Sequence, residues 1–168
     1  MRTYFVPASV PSRIKSMEIK QQVANSANEL VSLYRDFHTH PELGFKEYRS
    51  QKKIIDYFTN LGLKPRKIAS TGVVAELKGT KPGKTVLLRS DMDALPVTEE
   101  TGLSFASETF GIMHACGHDG HMAMLMVAAK MLIAMKDEIP GTIKFLFQPN
   151  EEDAGAHKVV KEGVMHSP

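Results

Sequence analysis

The stretch Met113-His-Ala-Cys-Gly-His-Asp-Gly-His121 sets three of the chain's seven histidines and its only cysteine within eight residues, at the mouth of an apolar run from Met122 to Met135. Imidazole and thiolate capture transition metals, and small Gly and Ala spacers let the backbone fold them around an ion. Cys116 and His118, one residue apart, can point the same way from an extended loop and chelate one ion or two neighbouring ions. A thiolate ligand requires a depressed pKa, which a bound cation supplies and the N-terminus of the following helix assists. For an isolated Cys-x-His, an inert buried cysteine beside a chance histidine is the competing reading. Four candidate ligands in so short a span favour a metal instead. No second Cys or His pair follows at finger-like spacing, which argues against a small closed zinc site.

Two acidic clusters strengthen the case, because each follows a predicted strand. Glu151 and Glu152 come after an apolar strand over Thr142 to Phe147. Adjacent carboxylates cannot both face one ion comfortably, so the natural division makes one a metal ligand and the other a general base toward metal-bound water. A solvated acidic turn is the plain alternative. Asp91 and Asp93 follow a strand over Thr85 to Arg89, and functional groups gather at the carboxyl ends of strands in open α/β sheets. Carboxylates of this kind orient metal-bound histidines; otherwise they cap loops. His38 can reach the site or cap a helix end, His40 reads as a helix-end residue, and no role is assigned to His114 or His121.

The elements that must position these groups follow from periodicity. Ser16 is a plausible N-cap for a helix whose buried face is Val23, Ala27, Leu30, Val31 and Tyr34, ending near His40 because Pro41 disfavours α geometry before it. A second helix spans about Glu47 to Leu61, with Tyr48, Ile54, Ile55, Phe58 and Leu61 inward and Gly62 as its stop. Strands are predicted over Gly72 to Leu77 and over Thr85 to Arg89, joined by a turn-rich Lys78 to Lys84. Residues 97–112 have no period. Asp119 is the predicted cap of an apolar helix ending near Asp137, and a short helix over Ala154 to Glu162 closes at Gly163. The expected fold is a three-layer α/β domain.

Bulk properties narrow the classes. A net charge of +2 gives no case for nucleic acid. The longest apolar run is too short for a bilayer and is broken by Lys130, so no membrane partner is expected. One cysteine fits a reducing compartment, and residues 1–16 lack the pattern of a secretory signal, so a cytoplasmic location is expected. Residues 1–16 read as a flexible extension, and residues 17–168 as the domain.

The succession His38-Thr-His-Pro-Glu-Leu-Gly44, Arg89-Ser-Asp-Met-Asp-Ala-Leu-Pro96, Met113 to His121 and Gln148-Pro-Asn-Glu-Glu152 resembles the M20 metallopeptidase family, and within it the amidohydrolase branch of hippurate, N-acyl-amino-acid and auxin-conjugate hydrolases. The resemblance implies the α/β catalytic domain of a zinc-peptidase-like fold, with two divalent ions (zinc, manganese or cobalt). It implies Cys116, His118 and Glu152 as metal ligands, Glu151 as general base and Asp93 as the supporting aspartate. Asp91 stands where the wider family has histidine, and Asn150 where alanine is common, a change expected to be mild. The implied reaction is hydrolysis of an N-acyl amino acid or short peptide conjugate.

The family places two further histidine ligands later in the chain than residue 168, and His157 and His166 come too early to match the first. The inserted lid domain, through which homodimers often form, is also missing. The chain is therefore expected to be the N-terminal part of a longer enzyme and inactive alone, the competing expectation being a catalytically dead metal-binding or interaction module.

Overall fold

A computed structural model of the chain describes residues 12–166, with side chains from residue 19 onward. Most of the expected N-terminal extension, residues 1–11, lies outside the described residues. Helix α1 (Ser12–Asn25) already includes the expected cap Ser16, and α2 (Ala27–Thr39) follows after a break at Ser26. That break resets the helical phase. Val23 and Val31, expected inside, are exposed, while Leu33 and Phe37 are buried with Leu30 and Tyr34 packed beside them. The inward stripe is therefore the one that α4 covers.

Helix α3 (Tyr48–Asn60) buries Ser50, Gln51, Ile54 and Phe58. Tyr48, expected inward, is exposed, because the helix begins there with its inner face led by polar Ser50 and Gln51. The Gln51 amide donates to the carbonyls of Ser70 and Gly72, which ties the helix to the start of a strand. Gly62 ends the helix with φ +82°, a conformation that glycine adopts without steric cost.

Four strands form one sheet in the order β1-β2-β4-β3: β1 (Arg66–Ile68), β2 (Gly72–Lys78), β3 (Lys81–Asp91) and β4 (Pro140–Gln148). Strand β1 has no sequence signal, being three residues of mostly charged character paired antiparallel to β2. Strand β3 begins within the expected turn, because as an edge strand it accommodates Pro82 and a bulge between Lys81 and Thr85. β3 and β4 run parallel with Asp91 opposite Gln148, so both strands deliver their C-terminal ends to the same edge.

Helix α4 (His118–Ala134) lies in the crossover between these two parallel strands. It is apolar nearly all round and mostly buried, ending at Ala134 before a 3-10 turn at Lys136–Glu138. Phe37, Ile54, Phe58, Met122 and Met126 pack from α2, α3 and α4 onto Val73, Ala75, Phe145 and Phe147 of the sheet. On the opposite face, Val159 of α5 (Ala156–Lys161) and Val164 cover Ile68, Val74 and Leu146. Helices on both faces of a central sheet make the expected three-layer α/β domain. No helix among the described residues is long and apolar enough to cross a membrane.

A buried ionic link joins α2 to α4 and to the loop that carries Glu99. His38, near the end of α2, donates through Nδ1 to Asp119 at 2.6 Å and through Nε2 to Glu99 at 3.1 Å. Burial pushes the imidazolium pKa down, but the bonds to Asp119 and Glu99 outweigh it and hold His38 above its ordinary value. With a carboxylate on each nitrogen, His38 is protonated and has no lone pair to offer a metal.

His38→Gln leaves those buried carboxylates without a counter-charge and should cost about 3–5 kcal/mol. The deficit should carry a pH signature. A folded-state pKa raised above the ordinary 6.5 means the stabilisation is fully present below that value and is lost as pH rises through the elevated one. Urea unfolding of both proteins between about pH 6 and pH 9 should show the gap narrowing as pH rises. A gap of constant size would contradict a charged His38.

Candidate metal centre

The edge formed by the ends of β3 and β4 carries the chemistry. β3 stops at Asp91, and Asp93 follows two residues on; β4 stops at Gln148, and a 3-10 turn at Glu151–Asp153 follows Asn150. The third contribution arrives from the loop before α4. Gly117, left-handed at φ +83°, is the N-cap of α4, leaving Cys116 exposed on the loop and making His118 the first helical residue. Asp119, expected as the cap, instead lies buried in the first turn. Its Oδ1 accepts the Gly120 N–H at 2.8 Å and its Oδ2 accepts from His38.

His118 is buried and fixed through one nitrogen. Its Nδ1 donates to the Asp93 carbonyl at 2.9 Å and lies 3.3 Å from Asp93 Oδ1. A proton held there leaves the lone pair on Nε2, which lies 3.9 Å from both Glu151 Oε2 and Glu152 Oε1. The other Asp93 oxygen, Oδ2, accepts the Glu152 N–H at 3.1 Å. Burial raises the Asp93 pKa, but its bonds to His118 and to the backbone of Glu152 and Glu151 more than offset this and hold it below the usual carboxylate range. The bond from Asp93 raises His118 against the effect of burial. Cys116 also lies above its ordinary value, chiefly because its thiol bonds to Glu152 and then because of burial and nearby carboxylates.

Three of the residues singled out by sequence come together. One donor atom each from Cys116, His118 and Glu152 lies within 4.8 Å of the others. Ions bound at about 2.0–2.3 Å by thiolate, imidazole and carboxylate need donors at such spacing, so this set fits a divalent metal. The chemistry fits too: with Nδ1 of His118 on Asp93, Nε2 is the nitrogen that faces the group, and a thiol held protonated by carboxylates would be freed by a cation among them. Glu151 stands beside the group and Asp93 beneath it.

Asp91, His118 and His121 form a second cluster that sequence reading left open. Asp91 there is ion-paired to Arg89, whose guanidinium is also anchored by Gln148 at 2.8 Å, so a cation already faces it. His38 and His40 lie outside both groups; the Nδ1 of His40 donates to the Asp36 carbonyl at 2.8 Å as a helix-end residue. His114 is also outside them. It is buried, with neither ring nitrogen hydrogen-bonded among the described residues, and burial pushes its pKa down to about 4. Sequence reading assigns Asp119 only a capping role and does not single out Glu99 or Glu47, because the partners of all three are distant in the chain. At φ +51° Asn150 occupies a left-handed position that asparagine tolerates better than alanine, a physical reason for the residue found there.

Residues 87–168 match the profile of Peptidase family M20/M25/M40. The chain is 43% identical over 159 residues to thermostable carboxypeptidase 1 of Saccharolobus solfataricus, covering 89% of this chain and 40% of that protein. It is 43% identical over 151 residues to an N-acyl-L-amino acid amidohydrolase of Geobacillus stearothermophilus, covering 88% and 41%. Among solved structures it is similar to the Bacillus subtilis YXEP protein, described as a dinuclear metal-binding peptidase of the M20 family. That likeness has a TM-score of 0.80 and 43% identity, and covers 83% of this chain and 40% of that one. The chain thus spans about two-fifths of the length of these relatives.

Because His118 and Cys116 both sit above their ordinary pKa values, a metal must displace protons held tightly there. Zinc or cobalt binding to the purified chain should release protons and tighten as pH rises from about 6 to 8. Cys116→Ala should sharply reduce metal content. Titration calorimetry in buffers of different ionisation enthalpy reads the proton release; pH-independent affinity would remove Cys116 and His118 from the ligand set, and full metal in the variant would remove Cys116.

Proposed function

We propose that the chain is part of a member of Peptidase family M20/M25/M40, whose profile its residues 87–168 match, and that the complete protein carrying it hydrolyses the amide bond of an N-acyl amino acid or short peptide conjugate. One observation carries the reading: His118 turns a single free nitrogen toward two adjacent glutamates at equal 3.9 Å separations, while Asp93 holds the other nitrogen. The amidohydrolase and carboxypeptidase relatives support the substrate class, since both are at the same identity to this chain.

In this reading Cys116, His118 and Glu152 hold a divalent ion, with a second ion in the complete centre. Zinc, manganese and cobalt all suit the mixed sulfur, nitrogen and oxygen donors. Bound ions supply Lewis acidity toward the scissile carbonyl and acidify water at neutral pH. Glu151 is the residue left for proton traffic. It takes a proton from the attacking water as the new C–O bond forms, then gives it to the nitrogen as the C–N bond breaks, so acid and amine leave with the proton balance closed. Its side chain is partly open to solvent, which suits a group that must meet substrate. Asp93 keeps His118 in the tautomer that can ligate. An exposed ligand thiol functions only when reduced, which favours a reducing compartment such as the cytoplasm.

The two glutamates should separate experimentally. In the complete protein, Glu151→Gln should keep its metal and lose about 10²- to 10⁴-fold in kcat, because an amide cannot accept the proton. Glu152→Gln should lose metal instead. Hydrolysis of N-acetyl and N-benzoyl amino acids, read beside metal content for each variant, checks this; equal metal loss in both would end the division of roles.

A further inference from the structure

The segment around Pro41 to Gly44, conspicuous in the sequence, supplies no ligand, yet it continues between both loops of the candidate centre. The Glu42 carbonyl accepts the Ala94 N–H at 2.9 Å, one residue past Asp93, and Leu43 bridges Ala94 in parallel. Five residues further on, the Glu47 carboxylate accepts the Asn150 N–H at 2.9 Å and a short hydrogen bond from the Thr71 hydroxyl. Glu47 sits at the N-cap of α3, but its side chain makes no cap bond. That duty falls to the Glu42 carboxylate, which accepts the N–H groups of Arg49 at 2.9 Å and Ser50 at 2.8 Å. The Glu47 carboxylate is thereby released to face the turn of residue 150, in a fully buried place where an apolar side chain would cost less.

Gly44 closes the same turn from another side. A Cβ there would lie 1.8 Å from Asn150 Oδ1 and 3.0 Å from Asn150 Cβ. Asn150 itself is left-handed; its side-chain amide donates to the Asp153 carbonyl at 2.8 Å, and its carbonyl accepts the Gly155 N–H at 2.7 Å. The residue directly before Glu151 is thus held on every side by groups that touch neither glutamate side chain.

We propose that Glu47 and Gly44 are positioning residues, which fix Asn150 and through it set where the carboxylates of Glu151 and Glu152 stand relative to His118. The proposal rests on Glu152 being a ligand and Glu151 the base. Neither Glu47 nor Gly44 touches the ligand atoms, so their effect travels through one backbone hydrogen bond and one close contact.

The test uses the complete protein carrying this chain, titrated with cobalt(II). Glu47→Ala should weaken cobalt binding about 10- to 100-fold and lower kcat. At saturating cobalt it should keep the thiolate-to-cobalt charge-transfer band of Cys116, which stands on a different loop. Glu47→Gln should stay near wild type, because its amide oxygen still accepts from Asn150 and its NH₂ can donate to the Thr71 hydroxyl. Gly44→Ala should reproduce the loss, and adding Asn150→Gly should restore affinity by removing the clash while tolerating the left-handed backbone. That pair carries the test if Glu47→Ala does not fold. Glu152→Gln is the reference. Wild-type affinity and kcat in folded Glu47→Ala or in Gly44→Ala, while Glu152→Gln loses metal, overturns the proposal and leaves the ligand assignment standing. Full metal in Glu152→Gln overturns the assignment and the proposal together.

Discussion

The carboxylate of Asp93 is buried where the ring of His118 meets the backbone of Glu152, with one oxygen directed at each. A charge so placed needs donors facing it, and here they come from two elements that converge on the one carrying the carboxylate. The end of β3 brings the carboxylate, the first turn of α4 brings the imidazole, and the turn after β4 brings the amide. Their meeting depends in turn on β3 and β4 being parallel neighbours in register at Asp91 and Gln148. Shift that register by one residue and every side chain at this edge changes face. Sheet geometry, helix start and ligand orientation are therefore one constraint.

Electrostatics explains why such a site calls for a cation. Asp91, Asp93, Glu151 and Glu152 crowd one strand edge, and among the described residues they face Arg89, paired to Asp91, and the rings of His118 and His121. The same crowding holds the Cys116 thiol protonated. A divalent ion between Cys116, His118 and Glu152 would offset this repulsion and release the thiolate. One residue on, at Asp119, His38 solves the opposite problem without a metal, as a protonated ring shared between Asp119 and Glu99. The first two residues of α4 thus point into two different ionic environments, His118 toward the open edge and Asp119 into the protein.

The cluster of Cys116, His118 and Glu152 was legible in the sequence as a candidate because metal chemistry forces rare residue types into short spacing and strand ends concentrate them. Cys116 and His118 announce themselves by type, and Glu151 and Glu152 by following an apolar strand. What the sequence hid was set by partners far along the chain. Val23 of α1 and Val31 of α2 share a period with the buried residues yet are exposed, because α4 and the break at Ser26 decide which face is covered. Tyr48 looked like a core residue by period, but Ser50 and Gln51 occupy the inner face through hydrogen bonds. Strand β1 has too few residues to show a period, and the start of β3 hides behind Pro82, which an edge strand tolerates. Asp119 is indistinguishable from an N-cap in sequence until His38 is seen opposite it.

The central claim is that Asp93 organises a metal site made by Cys116, His118 and Glu152, with Glu151 left free. Crystals of the protein soaked in zinc and measured at the zinc absorption edge test it most directly. The account predicts an anomalous peak at about 2.0–2.3 Å from Cys116 Sγ, His118 Nε2 and a Glu152 oxygen, with Nδ1 of His118 still on Asp93. A peak ligated by Asp91 and His121 in place of Cys116 and Glu152, or one that draws His118 away from Asp93, would contradict it.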